Sequence, residues 1–300
     1  MASKIKITFL GTADAIPSVK RNHTSILLNY NEENILIDCG EGTQRQFRKA
    51  RMNPCKVTRI LLTHWHGDHV LGLPGLLQTL ALSGYNKTLF IYGPVGTKKF
   101  MAELVKTFVY QGNYPIEVKE VDGKVFDAID FEIKSKKVYH GTPCNAYSFS
   151  EKDKFRIDKD KLKKSKLPFG PLLKKLKEGK DVVYEGKKYL AKNLTYKEVG
   201  KKVSIVMDTK FDKSIINFVS DSDILISEST FSSEEEVRAK EYKHMTAGQA
   251  GEIAKKSKSK KLFLTHLSQR YEMEPKKILD EAKKVFSNTH LAKDLDVVEI

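Results

Sequence analysis

The chain predicts a layered α/β fold, and three observations carry that expectation. Short apolar, strand-like runs alternate with helix-length segments, several of the runs end in a histidine or an acid, and 40% of the 300 residues are apolar, enough for a sizeable core. Ile5–Leu10, Ser25–Tyr30 and Asn34–Asp38 read as short strands, and Glu41–Met52 follows as a helix. Arg59–Thr63 is an apolar strand running into Thr63-His64-Trp65-His66-Gly67-Asp68-His69, with Gly72–Ser83 as an apolar helix behind it. Leu89–Tyr92 and Lys99–Tyr110 repeat strand and helix, and strands resume at Ile116–Val121 and Phe131–Tyr139, the last ending at His140. Beyond residue 200, Val203–Thr209 and Asp223–Thr230 are strands that carry Asp208 and Glu228 at their ends. Thr246–Lys256 is a helix preceded by His244, and Lys261–His266 is a further buried strand ending in histidine. The expectation is one domain over residues 1–300.

Residues 151–200 differ in character: 16 Lys/Arg against 8 Asp/Glu give them +8 (16 − 8) of the chain's +15. Such a balance favours a polyanionic partner, nucleic acid first, because each cation that neutralises a phosphate releases condensed counterions. A generally lysine-rich surface is the competing explanation. Within the stretch, Lys166-Leu-Pro-Phe-Gly-Pro171-Leu-Leu-Lys174-Lys175-Leu-Lys177-Glu-Gly179 reads as a short basic amphipathic helix between Pro and Gly breaks. It is expected to form a protruding nucleic-acid clamp over residues 151–197. Cys39, Cys55 and Cys144 make no CxxC pair, so they read as buried hydrophobes in a reducing cell interior. With no apolar run near the ~18 residues of a span and no export-like N-terminus, the expected location is the cytoplasm, with no membrane partner.

His64, His66, Asp68 and His69 place four potential metal ligands within six positions. Alternation along a strand lets His64 and His66 meet one metal while the turn carries Asp68 and His69 toward a second. Two divalent ions about 3.5 to 4 Å apart can clamp the attacking and leaving oxygens of a phosphodiester. Imidazole-rich, thiolate-free ligation favours two Zn2+ per subunit, with Mn2+ or Fe2+ as alternatives. The expected sets are His64, His66 and His140 for one metal and Asp68, His69 and His266 for the other, with Asp208 bridging. His23 and His290 read as surface residues.

Several segments resemble a known family. Thr63-His-x-His-x-Asp-His69 is similar to the signature of the metallo-β-lactamase superfamily, whose fold is an αββα four-layer sandwich with metals at one edge. Phe9-Leu-Gly-Thr12, Asp38-Cys-Gly-Glu-Gly-Thr-Gln44, Pro17-Ser-Val-Lys20-Arg21-Asn22 and Thr265-His266-Leu-Ser-Gln-Arg-Tyr271 narrow the resemblance to the tRNase Z family. Gly170-Pro171 resembles the tip of that family's inserted arm, which grips the tRNA elbow. Ser227-Glu228-Ser229-Thr230 and His244-Met245-Thr246 resemble its acidic and histidine loops. The chain departs from the pattern at Val19, where lysine is usual, at Ser227 and Ser229 beside Glu228, and at Met245 in place of serine.

The resemblance implies a zinc-dependent endoribonuclease, working as a homodimer, that cleaves precursor tRNA after the discriminator nucleotide. It leaves a 3′-hydroxyl on the tRNA and a 5′-phosphate on the trailer. Asp68 would help activate water, and His244, supported by Glu228, would protonate the departing oxygen. Lys20, Arg21, Asn22 and Thr246 would meet the acceptor end; Lys163, Lys164, Gly170, Pro171, Lys174, Lys175 and Lys177 would meet the tRNA body. The rival readings are a phosphodiesterase of the same fold acting on small substrates and a non-catalytic RNA-binding relative.

Overall fold

The computed structural model describes residues 4–110 and 112–300, so the first three residues of the N-terminal reading lie outside the described residues. Contacts divide the chain into two units: 1–126, 133–149 and 202–300 form the first, and 127–132 with 150–201 the second.

The first unit is built on two seven-stranded sheets. One orders Val297–Glu299, Ile5–Gly11, Ser25–Tyr30, Glu33–Ile37, Arg59–Leu61, Leu89–Gly93 and Ile116–Glu120, antiparallel up to Glu33–Ile37 and parallel beyond it. The other orders Thr289–Leu291, Leu262–Thr265, Ile224–Glu228, Lys202–Val206, Pro143–Glu151, Phe131–Tyr139 and Gly123–Asp127, with its first four strands parallel. Parallel strands are covered on both faces, which is why Arg59–Leu61 and Ile224–Glu228 are buried throughout. Helices Thr43–Lys49, Leu73–Leu82 and Thr97–Leu104 cover the outside of the first sheet through a core that includes Phe47, Ile60, Leu76, Leu80 and Ile91. Ala247–Lys256 and Pro275–Val285 cover the second through Leu225, Ile253, Leu264 and Ile278. The two sheets meet at Phe9 and Phe263 (ring centroids 5.7 Å apart), at Tyr30 and Phe149 (5.1 Å), and where the Tyr147 hydroxyl donates to the Leu62 carbonyl (2.7 Å). The layers are helix, sheet, sheet, helix, as the superfamily resemblance implies.

Parallel neighbours end at the same edge of a sheet. The turns after Glu33–Ile37 and Arg59–Leu61, and those after Lys202–Val206, Ile224–Glu228 and Leu262–Thr265, therefore collect the ligand-type residues.

Some sequence expectations change in extent. The helix expected over Glu41–Met52 is Thr43–Lys49, bounded by left-handed backbone at Gly42 (φ 80°) and Arg51 (φ 55°). That expected over Lys99–Tyr110 is Thr97–Leu104. The strand expected to reach Thr63 stops at Leu61, because the Thr63 N–H donates to Asp38 Oδ1 (2.7 Å) instead of to a ladder. No helix among the described residues is long and apolar enough to cross a membrane.

The second unit is a small folded body that contains the expected short basic helix, Leu172–Lys177, between Pro171 and Gly179. Lys154–Ile157 pairs with Thr195–Glu198, Val182–Tyr184 with Lys187–Tyr189, and helices Lys159–Ser165, Leu172–Lys177 and Ala191–Leu194 complete it. Leu162, Leu167, Leu176, Val182, Tyr189 and Leu194 form its own core, while Phe155, Phe169 and Val183 stay exposed. Lys163, Lys164, Gly170, Pro171, Lys174, Lys175 and Lys177 are all exposed.

Candidate metal centre and acid–base pair

His64 and His66 follow the strand Arg59–Leu61, but not with strand alternation. His66 is the N-cap of a one-turn helix, Gly67–Val70, that swings Asp68 and His69 back toward the same point. His140 arrives from the turn after Phe131–Tyr139, Asp208 from that after Lys202–Val206, and His266 from that after Leu262–Thr265. Ligand atoms of His64, His66, His140 and Asp208 all lie within 4.8 Å of one another, as do those of Asp68, His69, Asp208 and His266. Asp208 belongs to both groups: its Oδ2 is 3.7 Å from His64 Nε2 and 3.5 Å from His140 Nε2, and its Oδ1 is 3.4 Å from His69 Nε2 and 3.2 Å from His266 Nε2. Asp68 Oδ2 lies 3.3 Å from His69 Nε2 and 3.4 Å from His266 Nε2.

Around these groups a ring of partners fixes which nitrogen faces inward. His69 Nδ1 donates to Asp38 Oδ2 (2.7 Å), and the Thr63 hydroxyl donates to the same oxygen (2.8 Å), leaving Thr63 Oγ1 to accept from His64 Nδ1 (3.1 Å). His140 Nδ1 donates to the Lys243 carbonyl (2.9 Å), and His266 Nδ1 to Thr230 Oγ1 (2.9 Å). With Nδ1 committed in all four rings, each Nε2 is turned to the centre. Asp38 and His266 both hold left-handed backbone at φ 57°, a conformation that a non-glycine residue keeps only when its surroundings demand it.

The electrostatics split the histidines. Burial pushes His64 and His140 below the ordinary imidazole range. His69 and His266 are also depressed by burial, but the carboxylates of Asp208 and Asp68, joined at His69 by Asp38, outweigh it and hold both above that range. Burial opposes ionisation of Asp68 and Asp208, yet His69 and His266 keep both carboxyls far below theirs. Two buried atoms at the shared wall, His69 Nε2 and Asp208 Oδ1, have no hydrogen-bond partner. Inward-turned imidazoles, two carboxylates and orphaned buried donors at one point fit a divalent metal site.

Beside it lies a third group. Glu228 is fully buried and accepts from Thr209 N (2.7 Å), Thr230 Oγ1 (2.6 Å) and His244 Nδ1 (3.0 Å). The His244 ring packs 4.6 Å from that of His140. Burial pulls the His244 pKa down, but the Glu228 carboxylate beside it outweighs burial and raises it to about 9.

Other sequence-selected residues have different work. Arg21 is 9% exposed, and its guanidinium donates to Thr12 Oγ1 (2.6 Å) and the Ala292 carbonyl (2.8 Å), so it braces the loop from inside. Thr246 is 1% exposed, and its hydroxyl is used in a capping box with Gln249 at the start of Ala247–Lys256. Asn22 is tied to Glu41 and Asp294, and Lys20 is exposed. His23 is half-buried, with its Nε2 3.2 Å from the Ala15 carbonyl, while His290 is exposed. Sequence reasoning gave no role to Asp38, Thr63, Thr230 or the Lys243 carbonyl, although the first three lie inside the segments that carry the family resemblance.

Comparisons with known proteins point the same way. Residues 5–140 match a family model described as Anti-Pycsar protein Apyc1. A ribonuclease Z of Oceanobacillus iheyensis is 39% identical over 306 residues, covering 99% of this chain and all of that protein. The metallo-β-lactamase fold protein YhfI of Bacillus subtilis superposes with a TM-score of 0.73 at 22% identity, over 99% of this chain and 100% of that one, which shows the fold. Human tRNase Z, short form, superposes with a TM-score of 0.70 at 27% identity, over 98% of each chain. At 39% identity over essentially the whole length of both sequences, the chain belongs to the ribonuclease Z family.

Proposed function

We propose that the chain is a zinc-dependent endoribonuclease that removes the 3′ trailer from precursor tRNA. It cuts after the discriminator nucleotide and leaves a 3′-hydroxyl on the tRNA and a 5′-phosphate on the trailer. The observation that carries this reading is the pair of ligand groups sharing Asp208, set beside a histidine that a buried carboxylate keeps protonated. His64, His66, His140 and Asp208 would hold one ion, and Asp68, His69, His266 and Asp208 the other. The Cys144 thiol donates to the Asp208 carbonyl (3.3 Å) and belongs to neither ligand group, and a nitrogen- and oxygen-only donor set of this kind suits zinc. When bound, two such ions polarise the scissile phosphate and acidify the attacking water.

The chain's own groups supply the proton traffic. Asp68, kept ionised by His69 and His266 against its burial, would take a proton from the water. His244 is an imidazolium at neutral pH, and its Nδ1 is committed to Glu228, so the Nε2 proton is the one handed to the departing 3′-oxygen. Thr230 ties this pair to the centre, since its hydroxyl donates to Glu228 Oε2 (2.6 Å) and accepts from His266 Nδ1 (2.9 Å).

Substrate choice is assigned to phosphate contacts away from the cut. The exposed Lys163, Lys164, Lys174, Lys175 and Lys177 of the second unit, its exposed Gly170-Pro171 turn, and Lys20 in the first unit carry charge or shape suited to a tRNA backbone. The assembly in this reading is a cytoplasmic homodimer.

The test is cleavage of end-labelled precursor tRNA, mapped to the nucleotide, by metal-replete wild type, His64→Ala and a variant with the five second-unit lysines changed to alanine. Cutting after the discriminator by wild type, none by His64→Ala, and weakened tRNA binding in the lysine variant would support the proposal. Intact precursor with wild type, alongside hydrolysis of a small phosphodiester, would move the assignment to a small-substrate phosphodiesterase.

A further inference from the structure

The rim of the metal centre carries a charged lip that none of the proposed chemical steps uses. Tyr139, 50% exposed, precedes His140; Lys210 lies two residues after Asp208; Lys243 precedes His244. The three converge. The Lys210 ammonium stands 4.3 Å from the centroid of the Tyr139 ring and the Lys243 ammonium 5.7 Å from it.

Main-chain bonds fix this cluster to the centre. Lys210 N donates to the Tyr139 carbonyl (2.9 Å), Tyr139 N donates to Thr209 Oγ1 (3.2 Å), and the Lys243 carbonyl receives the His140 Nδ1 proton (2.9 Å). Lys243 holds left-handed backbone (φ 59°), and Gly141 leaves room for its side chain: a Cβ at Gly141 would come 2.5 Å from Lys243 Nζ. Neither ammonium has a carboxylate partner within 4.0 Å among the described residues, whereas Lys152, Lys154 and Lys197 in the second unit all do. Asp212, two residues after Lys210, feels the Lys210 charge but spends its carboxylate on capping Ser214 N (2.6 Å).

An aromatic face attracts one cation at an exposed site only weakly, and two cations on one ring repel each other. An anion between them turns that repulsion into attraction. In a chain read as a ribonuclease, the anion that reaches the rim of the metal centre is a backbone phosphate of the RNA. Resting on that reading, we infer that Tyr139, Lys210 and Lys243 form a phosphate-binding lip that seats the RNA backbone next to the scissile bond. The lip favours a polynucleotide over a small diester, because only the former reaches both the centre and the rim.

The experiment reads KM for precursor tRNA across a salt series for wild type, Lys210→Ala, Lys210→Arg, Lys243→Asn and the Lys210→Ala/Lys243→Asn double variant. Asparagine is used at position 243 because it tolerates left-handed backbone. Each lost charge is expected to raise KM about tenfold, the scale of one charge-assisted contact. It should also flatten the slope of log KM against log salt by about 0.7 to 0.9. Lys210→Arg should keep the wild-type slope, which a merely structural lysine would not guarantee. A double variant with wild-type KM and slope would overturn the lip, as would an arginine variant that behaves like alanine. Filter binding of the same precursor gives the slopes without turnover. A wild type that binds but does not cut would therefore sink the cleavage reading, while the lip would still stand or fall on its slopes.

Discussion

Replacing Glu228 with glutamine keeps the shape of a fully buried side chain and removes its charge. Burial alone would pull the His244 pKa down; the Glu228 carboxylate, through its field and its bonds to Nδ1 at 3.0 and 3.1 Å, lifts it to about 9. Measured against the ordinary 6.5, that is a rise of about 2.5 (9 − 6.5), or on the order of 3 kcal/mol of coupling at 1.36 kcal/mol per pKa unit. In the variant, burial is opposed only by the weaker field of Asp208, so His244 should titrate at 6.5 or below. At pH 7.5 its protonated fraction would drop from about 0.97 to about 0.1 or less, a tenfold loss of the acid form before any effect on alignment. The assay is a 15N NMR titration of His244 in chelator-treated protein, where no bound cation adds its own field, paired with kcat for precursor cleavage. Linkage fixes the sign of the stability effect. A histidine raised in the folded state contributes stability that is fully present below about pH 6.5 and is lost as pH climbs through about 9. The Tm gap between wild type and variant should therefore be widest below pH 6.5 and close above 9. A His244 that still titrates near 9 in Glu228→Gln would refute the coupling.

Three further predictions concern the ring around the centre and the loop beside it. Asp38→Asn should weaken metal affinity about 10- to 100-fold by loosening His69, read by competition with a chromophoric chelator; wild-type affinity would show that Asp38 does not orient the ring. Metal uptake should release protons below neutral pH, because His69 and His266 are held protonated by their carboxylates and must give up those protons to bind. Calorimetry in two buffers of different ionisation enthalpy checks this, and equal heats would count against it. Arg21→Ala should lower stability by about 2 kcal/mol through two lost buried hydrogen bonds, with no change in the salt slope of RNA binding; a flattened slope would return Arg21 to the RNA surface.

How much of this centre can be read from sequence depends on how local each cause is. His64 to His69 announce themselves because four potential metal ligands crowd one short segment, and His140, Asp208 and His266 because each closes an apolar run. The layered fold follows from the same alternation, since strands that end in ligands and are joined by helices lie parallel and finish at one edge. Asp38 and Thr63 stand at the heads of family-like segments, but their roles are not marked, as an acid or a hydroxyl after a strand is common, and only packing brings Asp38 to 2.7 Å from a histidine 31 positions away. Thr230 is hidden in the same way, its hydroxyl joining Glu228 to His266 across 36 positions. Charge misleads more than it informs at single residues. Arg21 looks like a phosphate contact in a basic loop, yet its partner carbonyl at Ala292 lies 271 positions on, beyond the reach of any local pattern. The basic insertion reads as a bare clamp because sixteen cations dominate its composition, while the leucines that fold it, Leu162, Leu167 and Leu176, are spaced too irregularly to show a face. Net charge can thus indicate that a surface meets a polyanion, but not which cations do so. What bears on that is whether the fold has already given a cation a close hydrogen-bond or carboxylate partner: Arg21 has two hydrogen bonds, whereas Lys210 and Lys243, each near the Tyr139 ring, have no carboxylate within 4.0 Å among the described residues.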